Sequence, residues 1–159
     1  MKKILCKQSK ETRCYIMSAV MNFEGFKQPD DMTKIRGEML LDVLGLTKAD
    51  MDSFSMPSYS QIVTHLKSIS DSEVKHWIIT NTYSPVLKSR RKDALNAFKK
   101  FCSDLGWGAE VKESMELTEE LEGLKPIDYS YKNRETGSGC FSVIILIFVS
   151  TALFAFSII

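Results

Sequence analysis

Leu40-Leu41-Asp42-Val43-Leu44-Gly45-Leu46-Thr47 is the stretch on which the fold turns. Upstream of it, Met32, Ile35, Met39 and Val43 recur at helical spacing, with Leu40 and Leu44 adjoining, while Thr33, Lys34, Arg36, Glu38 and Asp42 face the other way. That is the pattern of an amphipathic helix with one apolar face. Pro29 suits its first turn, and Asp30 and Asp31 complement the positive end of its dipole. Gly45 stops the helix and Leu46 packs back after it. Thr47 then caps a short helix through Asp52, with Asp50 at the third helical position.

The same period runs through the rest of residues 1–122. Ile16, Val20 and Phe23 form the stripe of a first helix over 11–23, followed by a turn from Asn22 to Gln28. After Met56-Pro57-Ser58, a fourth helix reaches about Ile69 on Ile62, Leu66 and Ile69. Ser70-Asp71-Ser72-Glu73 starts a fifth carrying Val74, Trp77, Ile78 and Ile79, and Asn81 to Pro85 breaks it. A sixth covers about 89–105, with Ala94, Phe98, Phe101 and Leu105 on its stripe, and a seventh runs from Ala109 to Glu122. No stretch alternates with period two. The expected fold is all-α: a bundle of about seven helices over residues 1–122, a flexible tether over 123–139, and a transmembrane helix over 140–159.

The opening stretch has an echo. Phe101-Cys102-Ser103-Asp104-Leu105-Gly106-Trp107-Gly108 repeats its plan 61 positions later. With one residue inserted, Phe23-Glu24-Gly25 matches Tyr83-Ser84-Pro85 as the upstream loop. Two related helical units sharing one core are the expected consequence.

On these residues the chain resembles the tellurite-resistance TerB-like family over about 11–122. Its first copy is Met17 to Asp52, with Glu24-Gly25 and Leu44-Gly45-Leu46-Thr47. The second is Ile78 to Glu122, with Leu105-Gly106-Trp107. Ser84-Pro85 replaces the acidic-Gly turn of the family in the second copy. The resemblance implies a helical domain associated with membrane-linked stress assemblies, and it leaves Glu24, Asp30, Asp31 and Glu38 as the positions able to inherit a divalent-metal site. Helix-start acids account for Asp30 and Asp31 equally well.

The far end of the chain decides its placement. Every charged residue lies between Lys2 and Glu135, and none follows from Thr136 to Ile159. Residues 140–159 would span ~30 Å as a helix, about one hydrocarbon core. Ser142, Ser150, Thr151 and Ser157 can bond back to carbonyls of the preceding turn. Phe141, Ile145, Phe148, Leu153 and Phe156 would face lipid, and Gly137 to Gly139 sets the segment apart. Lys125, Lys132 and Arg134 precede the segment, so the positive-inside rule places residues 1–139 in the cytoplasm. Thr151 and Ala155 offer a small-xxx-small face for homodimerisation through the anchor, an inert anchor being the simpler expectation. Cys140 stands at the expected interface, where acylation is conceivable.

Composition excludes several classes. Lys+Arg total 21 against 20 Asp+Glu, so the net charge of +1 gives no global attraction to nucleic acid. Ile4 to Cys6 is too short an apolar run for a signal peptide. Cys6, Cys14, Cys102 and Cys140 lack CxxC spacing and read as reduced, small apolar residues. There is no phosphate loop, nucleophile elbow or HExxH, and His65 and His76 are not spaced as ligands on one helix. No enzyme and no obligatory cofactor is expected.

One cluster breaks a local rule. Lys88, Arg90, Arg91 and Lys92 crowd the start of the sixth helix, where cations oppose the dipole by ~0.3–1 kcal/mol each. The seventh helix carries Glu110, Glu113, Glu116, Glu119, Glu120 and Glu122 against Lys112 alone. Two readings follow: the end of the acidic helix meets the basic cluster, or the cluster touches phospholipid headgroups or an acidic partner.

Overall fold

The computed structural model describes residues 1–27 and 32–126, and among them there are helices only. In chain order these are α1 (Lys2–Leu5), α2 (Lys10–Glu24), α3 (Met32–Leu44), α4 (Lys48–Asp52), α5 (Tyr59–Lys67), α6 (Ser72–Ser89), α7 (Lys92–Leu105) and α8 (Gly108–Glu122). The described residues thus form eight helices rather than about seven, because the single turn α1 is too short for periodicity to reveal. The expected segment at 140–159 lies outside the described residues, and among those described no helix is long and apolar enough to cross a membrane.

Side-chain caps fix several helix starts. Ser9 accepts from Thr12 N at α2, and Asp71 accepts from Glu73 N and Val74 N at α6. Thr47 with Asp50 and Ser58 with Gln61 form capping boxes at α4 and α5. The stops follow glycine geometry. Gly45 has φ +60, with Leu46 N bonded to Leu41 O at 2.9 Å and Gly45 N to Asp42 O at 3.0 Å, which is a Schellman motif. Gly106, at φ +72, makes the simpler single bond to Cys102 O at 3.1 Å.

Helices α2 and α6 pack against each other at the centre. Phe23 of α2, Tyr83 of α6 and Phe98 and Phe101 of α7 fill the space between them, each at most 2% exposed. The Tyr83 and Phe98 rings stack at 4.7 Å, and Phe23 meets Phe98 edge-on at 5.9 Å.

Three expectations are corrected. Asn81 to Pro85 does not break the chain: α6 runs through it to Ser89 with Pro85 inside. A proline there removes one backbone bond to the fourth carbonyl upstream. Burial of Thr82, Tyr83, Pro85, Val86 and Leu87 overrides that local cost. The break falls instead at Arg90, which adopts φ +53 (the left-handed region), so α7 begins at Lys92 rather than 89. Tyr83-Ser84-Pro85 is therefore helix, not the loop counterpart of Phe23-Glu24-Gly25. Gly45 and Gly106 end α3 and α7, both in the left-handed region. Third, the face of α3 is rotated. Ile35 and Met39 are 45% and 60% exposed, whereas Leu44 is fully buried and Leu40, Leu41 and Val43 are partly so.

Candidate functional site

Helix α8 runs parallel to α6. Lys75 pairs with Glu110 at 2.9 Å, His76 with Ser114 at 2.8 Å, Tyr83 with Glu119 at 2.8 Å and Ser84 with Glu122 at 2.6 Å, so residue numbers rise together along both helices. The C-terminal ends of α6 and α8 therefore lie together. Phe26, just past α2, joins them: the Arg91 guanidinium lies 5.5 Å from its ring. One end of the bundle thus gathers the last turns of α2, α6 and α8, whose carbonyls favour cations, and the first turns of α3 and α7.

The basic cluster sits at that end. Lys88 Nζ is 2.6 Å from Glu122, and Arg91 forms a two-pronged pair with Asp93 at 2.5 and 3.0 Å. Arg90 donates from Nη1 to the Lys125 carbonyl at 2.8 Å. So the end of the acidic helix does meet the basic cluster, the first of the two sequence readings. Burial pushes the Glu122 carboxyl up, but hydrogen bonds from Lys88 and Ser84 and the charges of Lys88 and Lys27 outweigh it and hold the group low. The Arg91 bond likewise holds Asp93 below the usual range. Lys88, Arg90, Arg91, Lys92 and Lys125 all remain exposed. The Arg91–Asp93 pair is a surface pair, worth about 0–1 kcal/mol and readily exchanged for another anion, whereas the Lys88–Glu122 pair is half-buried on its acidic side.

This is also where the chain leaves the bundle. Gly123, at φ +62, closes α8, and Leu124 N returns to Glu119 O at 3.1 Å. With Lys125 held by Arg90, residues 123–125 are fastened to the bundle rather than part of a free tether. The rest of the expected tether, 127–139, lies outside the described residues.

Of the four acidic positions, the described residues include Glu24 and Glu38. Glu24 is nearly buried between Lys27 at 3.2 Å and Arg36 at 3.4 Å, which neutralise it. Glu38 is exposed, and Asp30 and Asp31 lie outside the described residues. Among the described residues no three His, Cys, Asp or Glu side chains come close enough to hold a metal ion.

One pair escaped sequence reasoning. His76 Nδ1 meets Ser114 Oγ at 2.8 Å, with His76 Nε2 3.6 Å from Glu113. A serine nucleophile needs access and a base whose far nitrogen is held by a carboxylate. Ser114 is 1% exposed in mid-helix, and the weak carboxylate contact is long, so the pair cross-links α6 to α8. The available signal was Ser114 and Thr118, two hydroxyls four apart in a glutamate-rich helix, which form its buried face. His65 is similarly occupied, stacked on Tyr15 at 4.1 Å with Nε2 3.2 Å from Thr12 Oγ1. Cys6, Cys14 and Cys102 are free thiols, and burial pushes Cys102 up to about 12.

No protein-family model matches the chain, and neither a curated protein nor a solved structure is similar to it.

Proposed function

We propose that the protein is a membrane-tethered helical interaction module: residues 140–159 anchor it, and the bundle of residues 1–126 is displayed on the cytoplasmic face for a protein partner. The observation that carries this reading is the uncharged run from Thr136 to Ile159. Thirteen of residues 140–159 are Leu, Ile, Phe or Val. At about −0.3 to −0.6 kcal/mol each near a helix centre, they favour insertion by roughly 4–8 kcal/mol. A binding role fits how the polar groups of the bundle are occupied: His65 and His76 bridge to Thr12 and Ser114 of neighbouring helices, Ser18, Thr82 and Thr118 bond carbonyls of their own helices, and Glu24 is paired with Lys27 and Arg36. The TerB-like resemblance points the same way, toward an assembly at a membrane.

Cross-linking in membranes tests the division of labour. The native chain and a version whose residues 140–159 are replaced by an unrelated apolar anchor should capture the same partner. Leu117→Ser with Leu121→Ser, at 50% and 73% exposed positions on α8, is the first surface variant to compare. Capture that follows the anchor instead of the bundle would sink the module reading.

A further inference from the structure

We infer that the end of the bundle carrying Lys88, Arg90, Arg91, Lys92 and Lys125 is a binding surface for anionic phospholipid headgroups, so that the domain stands on the membrane with this end down. The inference rests on the anchored reading and adds which face meets the lipid and which lipid chemistry it selects.

Three observations carry it. The first is position: Arg90 bonds the carbonyl of Lys125, so the cations surround the point from which the chain departs toward the apolar segment. Residues 127–139 separate that point from Cys140, and their extended length is at most about 50 Å. No other part of the bundle is joined to the anchor by a shorter path.

The second is charge. The five exposed cations stand with Asp93, Glu122 and, on the same last turn of α8, Glu119 and Glu120, an excess of one. Lys27 and Arg36 against Glu24 at the same end add one more. The rest of the outer face of α8 is opposite in sign: Glu113 and Glu116 are exposed beside Lys112. An anionic surface therefore attracts this end and repels the flank of α8. The attraction acts within a Debye length, ~8–10 Å at physiological salt, so it favours contact over hovering.

The third is geometry. The left-handed turn at Arg90, φ +53, brings the two arginines together at the corner between α6 and α7. Arginine suits phosphate because its planar fork donates two parallel hydrogen bonds. The Arg91 partner, Asp93, has a side chain 43% exposed, and lipid phosphate can replace it at little cost; the Lys88 partner, Glu122, is half-buried, and Lys88 keeps donors to spare beside it.

Trypsin provides the test, because Arg90 and Arg91 are cleavage sites inside the proposed surface. Lys48, exposed at the start of α4, lies near the opposite end, roughly 20 Å away along α2. The full chain is reconstituted into phosphatidylcholine vesicles, with or without about 30 mol% phosphatidylserine. Cleavage at Arg90 and Arg91, relative to Lys48, should slow roughly fivefold in anionic vesicles and recover in about 0.5 M salt. Lys88→Gln with Lys92→Gln keeps both sites and should weaken the protection. Equal relative cleavage in the two vesicles, with protein floating alongside both, overturns the headgroup surface and leaves the anchor standing. Flotation only with anionic vesicles supports the basic end and overturns the anchor. Flotation with neither overturns both.

Discussion

Arg13 closes α3 from the neighbouring helix: its Nη1 donates to the Leu44 carbonyl at 2.6 Å and to the Gly45 carbonyl at 2.9 Å. A helix C-terminus leaves carbonyls without helical donors, and a cation is the favoured partner. Nε of Arg13 is buried without a hydrogen-bond partner, which subtracts from the gain. Arg13→Ala should therefore lower stability by about 1–2 kcal/mol, read as a shift in urea midpoint. An unchanged midpoint would mean the contact contributes nothing.

Gly45 and Gly106 each end a helix, α3 and α7, in unlike surroundings. Both have positive φ, at +60 and +72. A Cβ at Gly45 would meet Arg13 Nη1 and Cys6 Sγ, both at 2.9 Å, whereas one at Gly106 meets nothing within 4 Å. Gly106→Ala should cost only the left-handed strain, about 1–2 kcal/mol. Gly45→Ala should cost more, because the guanidinium must withdraw from its carbonyls. Equal losses in thermal or chemical denaturation would contradict this difference.

The Asp50 carboxyl is held at about 2, first by its hydrogen bond from Lys10 and then by the backbone and hydroxyl of Thr47. Its folded value is depressed, so its contribution is present above the ordinary value of 3.8 and is lost as pH falls toward 2. Asp93, Asp104, Glu110 and Glu122 are lowered too and act in the same direction. Asp50→Asn should make the urea midpoint less steep against pH across that acid window. Superimposable slopes for the two proteins would show that the Lys10 and Thr47 contacts do not persist in solution.

Thiol chemistry should sort the cysteines by burial. Cys6 is exposed, whereas Cys14 is buried and burial raises both Cys14 and Cys102. The reactive species is the thiolate, so at pH near 8 a folded Cys102 should resist iodoacetamide while Cys6 reacts. Peptide mapping over time reads each site separately. Modification of Cys102 as fast as Cys6 would contradict the packing of α7.

Much of the bundle was legible in the sequence, for local reasons. Gly45, Thr47 with Asp50, and Leu46 carry their stop and start signals within a few residues, so the α3–α4 junction followed directly. What failed depended on tertiary packing. Pro85 is a local breaker that burial between neighbouring helices overrides. Ile35 and Met39 fit a helical stripe as well as Leu40 and Leu41 do, and only the neighbours of α3 choose the buried face. The basic cluster was visible as a run of charge. Its meeting with the end of the acidic helix was one of two sequence readings, and choosing it, with Glu122 as the partner of Lys88, required the parallel course of α6 and α8, which no local pattern encodes. Ser114 and Thr118 were missed because a buried polar face inverts the usual amphipathic rule.

The central claim is that residues 140–159 hold the helical bundle to a membrane, and alkaline carbonate extraction tests it most directly. The full chain should stay in the membrane pellet after the wash, while a chain ending at residue 139 should move to the supernatant. If both forms leave with the supernatant, or both stay in the pellet, the apolar segment is not the anchor.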